Sequence, residues 1–255
     1  MQESFDDLPR VLARRALKKA GLPATPDVGS LATVIKELKE KVELELGVTV
    51  TDATVSAAHL TALYQDDIVD LCEYVGFKYV IPKRFFRPVL WEAGVTYAGH
   101  GFGLCKHWHD DTECAKEEKE FPDLPILVVH RSRIAFTSTL ALITRATSTW
   151  DTDSRRVEDF ALGSDAIDRY PSPEAYWTDV KSALLRRMIE MPGFKKPVKI
   201  IVTGDQIDGD FRYFLQETME KFMGKPPPIY WDDGLTAPAR GTAEFRRRGI
   251  AIYGP

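Results

Sequence analysis

Residues 199–223 read KIIVTGDQIDGDFRYFLQETMEKFM, and this stretch decides the fold class. KIIVT is an apolar, β-branched run that predicts a buried strand. GDQIDGD has the glycines and aspartates of a tight turn. The rest of the stretch places large apolar side chains at helical spacing: Phe211, Phe214, Leu215, Met219 and Phe222. A strand, a turn and a helix in this order predict an α/β sheet.

The segments on the N-terminal side supply further strands and helices. ILVV (126–129) is a continuous apolar strand, and RIAFTSTLALI (133–143) with RVEDFALG (156–163) predicts a meander beside it. Ser172, Pro173 and Glu174 open a helix with a cap, a proline at its first position and an acid at its positive end. Strands mixed with crossover helices predict a mixed sheet flanked by helices.

Composition excludes several classes of protein. The chain has 255 residues and a net charge of −4, so nothing attracts it to nucleic acid or to an anionic membrane. No apolar run is long enough to predict a membrane span. The N-terminal residues MQESFDD are acidic, unlike a secretory signal. Three cysteines do not predict a disulfide framework, and we expect a cytoplasmic, reducing location.

Five segments, in their order along the chain, carry a family resemblance. They are VTVTDATVSAAH (48–59), LCEYVGFKYV (71–80), WEAGVTYAGHGFGLC (91–105), VTGDQIDGD (202–210) and DGLTAPARGTAEFRRR (233–248). They resemble DnaK-type heat-shock chaperone ATPases and their divergent fungal relatives, within the actin-like ATPase superfamily. The resemblance implies a partial actin-like ATPase (ribonuclease-H-like) fold with its first subdomain missing. It implies a truncated domain over 30–255. Residues 1–29 are charged and interrupted by prolines, which predicts a short helix and then a linker.

The same resemblance implies that the phosphate-binding machinery is lost. ATPases of this fold hold phosphates with backbone N–H groups of glycine-rich hairpins and position magnesium with acids. The second hairpin is expected after ILVV, where this chain has HRSRIAFTST (130–139). His130 stands at the position of the expected aspartate, and Arg131 stands where a glycine would allow close backbone approach. ATP hydrolysis is therefore not expected, and no cofactor is predicted.

A cleft that no longer holds a nucleotide is predicted to bind a small apolar molecule. The candidate catalytic residues are His59, His100, His130 and Arg131. The candidate ligand-binding residues are Phe86, Trp91, Tyr97, Phe102, Trp108, Gly204 and Asp205. Each of these residues also has a structural alternative. Ordinary core is the default for the aromatic residues, Gly204 also fits a tight strand-to-helix turn, and His59 also fits a helix cap.

Two further groups of residues carry open alternatives. Cys105, His107, His109 and Cys114 are residue types that zinc accepts. Their spacing and the surrounding acids favour instead a surface loop with an occasional Cys105–Cys114 contact, so no metal is predicted. Arg246–Arg248 is either a docking patch or the charge complement of the last helix's negative end.

Three functions follow as hypotheses. The first is a repurposed scaffold that binds a small apolar substrate, with a Diels–Alder-type pericyclase of fungal terpenoid or polyketide biosynthesis as the specific case. The second is a pseudo-ATPase that acts as a binding or regulatory module, with a homodimer as the expected assembly. The third is a chaperone-like fragment with residual ATP binding.

Overall fold

The computed structural model describes residues 7–58, 60, 63–80, 90–150, 156–190 and 196–253. The chain divides into two compact units, Met1–Leu90 and Trp91–Pro255. Among the described residues, no helix is both long and apolar enough to cross a membrane. His59 and Phe86 lie outside the described residues, so the roles predicted for them stay predictions.

The first unit is mainly helical. Its elements are α1 (Leu8–Lys19), α2 (Pro26–Leu46), β1 (Asp52–Ala53), β2 (Ser56–Ala57), α3 (Gln65–Val75) and β3 (Lys78–Tyr79). α2 begins at Pro26 because Thr25 is the cap: its Oγ1 accepts a hydrogen bond from the Val28 N–H at 3.1 Å. Gly47 ends this helix with a φ of 64°, the left-handed conformation that glycine adopts without strain.

A small core and a buried ion cluster hold the first unit together. Val28 and Ala32 of α2 pack against Leu71 and Val75 of α3. The guanidinium of Arg14, on α1, bonds two aspartates of α3: Nη1 lies 2.7 Å from Asp67 Oδ1, and Nη2 lies 2.5 Å from Asp70 Oδ2. All three side chains are at most 9% exposed. This cluster therefore fixes α1 on α3.

The second unit is an α/β sheet, introduced by a two-residue strand at the boundary between the units, β4 (Leu90–Trp91). Its helices are α4 (Glu92–Gly99), α5 (Asp111–Lys119), α6 (Pro173–Glu190), α7 (Gly209–Met223) and α8 (Ala237–Tyr253), with a 3-10 helix over Ser164–Arg169. Its strands are β5 (Leu124–Arg131), β6 (Phe136–Arg145), β7 (Ser148–Trp150), β8 (Arg156–Asp159), β9 (Lys199–Thr203) and β10 (Ile229–Tyr230).

The sheet is mixed, as the sequence predicts. The strand order is β10-β9-β5-β6-β7, and β8 also pairs with β6. β5, β6 and β8 form the antiparallel meander, whereas β9 and β10 run parallel to β5 and to β9 respectively. The strand–turn–helix unit quoted first is β9, its turn and α7. The prediction of a mixed sheet flanked by helices is confirmed.

The two faces of the sheet are covered by different helices. Leu127 and Val129 of β5 face α6 and α7, and they share a core with Tyr176, Val180 and Leu215. Because successive strand residues point to opposite faces, Ile126, Val128 and His130 lie on the other face. The helix α4 contacts that second face and packs closely against α8.

Candidate functional site

The candidate site lies where the parallel strands β5 and β9 end. His130 and Thr203 are opposite each other in the strand register. His130 is one residue before the end of β5, and Thr203 is the last residue of β9. Glu92 is the first residue of α4, the helix on this face of the sheet. Ligands of open α/β sheets bind at the carboxyl ends of the strands, so this is where the fold places a functional site.

Glu92, His130 and Thr203 form a closed hydrogen-bonded cluster. Glu92 Oε1 lies 3.0 Å from His130 Nδ1 and 2.7 Å from Thr203 Oγ1. The Nδ1 atom of His130 also lies 3.1 Å from Thr203 Oγ1. The Thr203 hydroxyl donates to the carboxylate, and the His130 Nδ1–H is shared between the carboxylate and the hydroxyl. The carboxylate thus fixes the orientation of the imidazole ring.

The electrostatics of the cluster favour an ion pair. Burial opposes the charged form of His130, but the hydrogen bond and the charge of Glu92 outweigh it, and Asp205 adds to them, so the pKa of His130 is raised above 6.5. Burial would raise the pKa of Glu92, but the hydrogen bond and charge of His130 and the Thr203 hydroxyl bring it below 4.5. The His130 side chain is 27% exposed. The cluster therefore presents a partly accessible imidazole ring, and Glu92 favours its protonated, hydrogen-bond-donating form.

Arg131 does not join His130 in this cluster. It is the next residue of the strand and points to the opposite face, where its guanidinium lies 5.1 Å from the ring centre of Trp177 and 5.0 Å from that of Phe211. Its Nη1 bonds Asp208 Oδ2 at 2.7 Å. The residue is 2% exposed. Arg131 thus ties the turn after β9 to the helical face and does not face a ligand on the His130 side.

The segment that replaces the glycine-rich hairpin uses its own backbone donors. Ser132 N donates to Ala135 O at 2.9 Å, and Ala135 N donates to Ser132 Oγ at 3.1 Å. A phosphate-binding hairpin keeps such N–H groups for the ligand. In this chain these two donors are already bonded.

The turn after β9 closes on the end of β5. Gly204 has a φ of 105°, and a Cβ at this position would lie 2.0 Å from the carbonyl oxygen of Arg131. Gln206 N also donates to that carbonyl, at 3.3 Å. Of the two interpretations of Gly204, the contacts match the tight strand-to-helix turn, which requires glycine.

The predicted aromatic residues lie in several places. Trp91 and Tyr97 are buried in the core. Phe102 packs against Tyr230 near the start of β9. The Nζ of Lys199 lies 4.5 Å from the ring centre of Phe102. Lys199 and the site residue Thr203 are four residues apart on β9, roughly 13 Å along a strand.

Two other predicted residues also lie apart from the cluster. Trp108 packs against Arg247 of α8, whose guanidinium is 4.6 Å from its ring centre. His100 lies beside Tyr230, and burial followed by the charge of Arg240 lowers its pKa. Of the predicted site residues that the structure describes, His130, Gly204 and Asp205 come together near the ends of β5 and β9, whereas Arg131 meets Gly204 only through its backbone.

The candidate zinc residues do not assemble as one site. Cys105 and Cys114 are joined by a disulfide bond, which the cysteine count did not predict and which departs from the pattern of a reducing location. The sulfurs lie within 4.8 Å of a carboxylate oxygen of Glu118, the one such grouping of metal-ligand types among the described residues. His107 is 70% exposed and bonds Glu117 instead. A disulfide sulfur is not a thiolate, so this grouping is not a zinc site while the bond is intact.

Fold and strand order together define a class of protein. The mixed six-strand sheet with helices on both faces is a partial actin-like ATPase fold. A solved structure that shares it is the ethanolamine utilization protein EutJ from Carboxydothermus hydrogenoformans, with a TM-score of 0.51 and 13% identity over 86% of this chain and 75% of that chain. At this identity the likeness shows the fold alone. No protein-family model matches the chain, and no curated protein sequence matches it.

The cluster contains two residues that the sequence analysis did not single out. Glu92 stands in WEAGVTYAGHGFGLC, one of the segments that carry the resemblance, and Thr203 ends KIIVT. An acid at the first position of a helix is favoured by the helix dipole, which was the available signal for Glu92. Its contact with His130, 38 residues away, depends on α4 lying over β5.

Proposed function

We propose that this chain is a non-ATPase relative of DnaK-type chaperones in which Glu92, His130 and Thr203 take the place of the magnesium and phosphate machinery. The observation that carries the proposal is the 3.0 Å contact of Glu92 Oε1 with His130 Nδ1, at the position where the resemblance expects an aspartate. Magnesium requires hard oxygen ligands, and an imidazolium beside the carboxylate repels a divalent cation. The internally bonded turn at Ser132 and Ala135 supports the same proposal.

Within this scaffold, the chemistry that the cluster supports best needs one hydrogen-bond donor and a bound conformation. The His130 imidazolium donates from Nε2 to a carbonyl of a small apolar substrate, which stabilises charge that develops on that oxygen. A Diels–Alder-type cyclisation in fungal terpenoid or polyketide biosynthesis is the specific proposal. It forms two carbon–carbon bonds without a cofactor, and holding the diene against the dienophile supplies much of the rate. We propose a cytoplasmic location for this activity, as the low cysteine count predicts, although the Cys105–Cys114 disulfide departs from that pattern.

Thermal unfolding with ligands tests the proposal. Magnesium-ATP at 100 times its dissociation constant would stabilise a binding protein by about 2.7 kcal/mol, and we expect no change in Tm. A raised Tm would favour the residual ATP-binding fragment and overturn the non-ATPase proposal. Nile red, an apolar dye with a carbonyl group, is expected to bind with a blue-shifted emission that weakens at pH 7 in Glu92→Gln. Emission unchanged in that variant would overturn the role of His130 as the donor.

A binding module is the second candidate, and an exposed apolar stripe on α2 favours it. Leu31, Val34 and Leu38 recur at helical spacing and are 37%, 64% and 54% exposed. Contiguous apolar surface of this kind marks association sites. The occupant we propose is a second copy of this chain, which gives a homodimer.

Light scattering tests the homodimer. The wild-type chain is expected at twice its 28.8 kDa mass, and Val34→Glu with Leu38→Glu is expected to give the single mass. Leu44→Glu is the matched control, because Leu44 is 85% exposed on the same helix outside the stripe. A wild-type protein at the single mass at 100 µM or above would contradict this candidate.

A further inference from the structure

A basic groove runs between α4 and α8, and it contains none of the residues of the His130 cluster. Its volume is about 540 Å³. Its floor includes Ala98, Gly99 and Ala243, and its walls include Lys106, Arg247 and Arg248. The volume falls within the range of roughly 300–1,000 Å³ that is typical of small-molecule sites.

Close helix packing forms the floor of the groove. A Cβ on Gly99 would lie 2.0 Å from the carbonyl oxygen of Ala237, and a Cβ on Gly241 would lie 1.7 Å from that of Val95. The two backbones therefore approach as near as glycine allows.

The charges of the groove have one dominant sign. Four cationic side chains line it, from Lys106, Arg240, Arg247 and Arg248, and the one carboxylate in the lining belongs to Glu244. Asp233, outside the lining, pairs with Arg240 at 2.6 Å. Glu117, also outside the lining, accepts a hydrogen bond from the Lys106 backbone N–H at 2.6 Å. An excess of one positive charge remains after these three carboxylates are counted. The net positive charge of the groove therefore attracts an anion.

The arginines are held in place before any ligand arrives. Arg247 Nη2 lies 2.7 Å and Arg248 Nε lies 3.0 Å from Glu244 Oε2, and Arg248 Nη1 donates to Cys105 O at 2.6 Å. The Arg247 guanidinium also stacks on Trp108. Each guanidinium has five N–H donors, so these contacts leave donors for a further acceptor. Side chains fixed in this way lose less entropy on binding.

From this arrangement we propose that the groove binds a small organic anion through carboxylate or phosphate oxygens. Arg247 bonds Glu244 through both Nε and Nη2, so its Nη1 and the Nη2 of Arg248 supply the donors for such oxygens, and Lys106 adds a point charge. Ala98, Leu104 and Ala243 offer apolar contact to a short carbon skeleton. The negative charge of the whole chain, −4, speaks against a polyanion such as nucleic acid as the ligand.

Titration of the full chain with citrate and with inorganic phosphate tests the proposal. Sodium chloride at matched ionic strength is the reference, because it screens charges to the same extent without supplying a carboxylate or a phosphate. We expect a saturable rise in Tm and a saturable change in tryptophan fluorescence, with the fluorescence change lost in Trp108→Phe. A response to citrate alone assigns carboxylate as the ligand group, and a response to phosphate alone assigns phosphate. The absence of a saturable response to both anions overturns the proposal.

Charge-neutralising variants locate the site. Arg247→Gln and Lys106→Gln are each expected to weaken binding at least tenfold. Lys221→Gln removes the same charge from an exposed position on α7 and is expected to leave the affinity unchanged. Circular dichroism shows whether each variant is folded. If Arg247→Gln does not fold, the affinity of Lys106→Gln alone tests the location of the site. Binding that both groove variants leave intact would overturn the assignment to this groove.

Discussion

Gly241 of α8 lies so close to Val95 of α4 that a Cβ on the glycine would stand 1.7 Å from the Val95 carbonyl oxygen. The neighbouring atom is backbone, which cannot move aside as a flexible side chain can. Gly241→Ala is therefore expected to lower the free energy of unfolding by about 3 kcal/mol or more, at the upper end of the cost of overpacking. Urea unfolding measures this loss.

Gly209→Ala is the matched control for that substitution. A Cβ at Gly209, the first residue of α7, would meet no atom within 4 Å. The same change there is expected to be neutral or to stabilise by about 0.4–1 kcal/mol, because it restricts the unfolded chain. Equal effects at the two glycines would contradict the close packing of α4 on α8.

The pH dependence of stability tests the ion pair of Glu92 with His130. The pKa of His130 is raised above 6.5, so its contribution is complete below pH 6.5 and is lost as the pH rises through the folded-state value. The pKa of Glu92 is lowered below 4.5, so its contribution is complete above pH 4.5 and is lost as the pH falls through the folded-state value. The pair therefore stabilises most between about pH 4.5 and 6.5.

Comparison with Glu92→Gln isolates this contribution. The advantage in Tm of the wild-type chain over the variant is expected to be larger at pH 5.5 than at pH 9. Nuclear magnetic resonance titration of the His130 ring is expected to give a lower pKa in the variant. Glu190→Gln, on an exposed carboxylate of α6, is the control and should leave the His130 titration unchanged. An unaltered pKa in Glu92→Gln would disprove the pairing.

Local sequence patterns predicted the sheet better than the site. The apolar run ILVV and the strand–turn–helix unit at 199–223 lie in β5, β9 and α7 as predicted, because burial on both faces leaves a continuous apolar signature. The separation of His130 from Arg131 also follows from strand alternation, although the sequence analysis grouped them. The Glu92 contact does not follow from any local pattern, because it needs α4 to lie across the ends of two strands.

The disulfide escaped prediction for a related reason. Cys105 and Cys114 are separated by nine residues, and α5 carries the second cysteine back towards the first. A count of three cysteines indicates only that at least one is unpaired. That cysteine is Cys72, which is buried in the first unit.

Removal of the disulfide is expected to destabilise the chain. A loop of this length corresponds to about 2–3 kcal/mol of unfolding free energy in the chain-entropy model. Cys105→Ser with Cys114→Ser should show that loss in urea, and a reducing agent should produce a similar loss in the wild-type chain. A reducing agent should have no effect on the double variant. A wild-type chain that is equally stable with and without reductant would contradict a structural role for the bond.

The thiol of Cys72 is expected to be inert in the folded chain. Burial raises its pKa to about 11, so little thiolate is present at pH 8. Iodoacetamide should therefore modify Cys72 in denaturant and leave it almost unmodified under native conditions, as peptide mass spectrometry can measure. Fast native modification at this residue would show that α3 is not packed as described.

Arg14 is expected to be the most costly charged residue to remove from the first unit. Its guanidinium compensates two carboxylates that are themselves buried, so Arg14→Met leaves Asp67 and Asp70 with much less positive charge nearby. Breaking a buried pair in this way costs about 3–5 kcal/mol. Arg15→Met changes the next residue, which is exposed on the same helix, and should be nearly neutral.

A second substitution separates lost charge balance from lost packing in this cluster. Arg14→Met with Asp70→Asn removes one of the uncompensated charges, so the double variant should be less destabilised than the sum of the two single variants. Urea unfolding of the four proteins completes the cycle. Strict additivity would mean that Arg14 acts through the packing of its hydrocarbon stem, because lost packing does not depend on whether the facing carboxylates are charged.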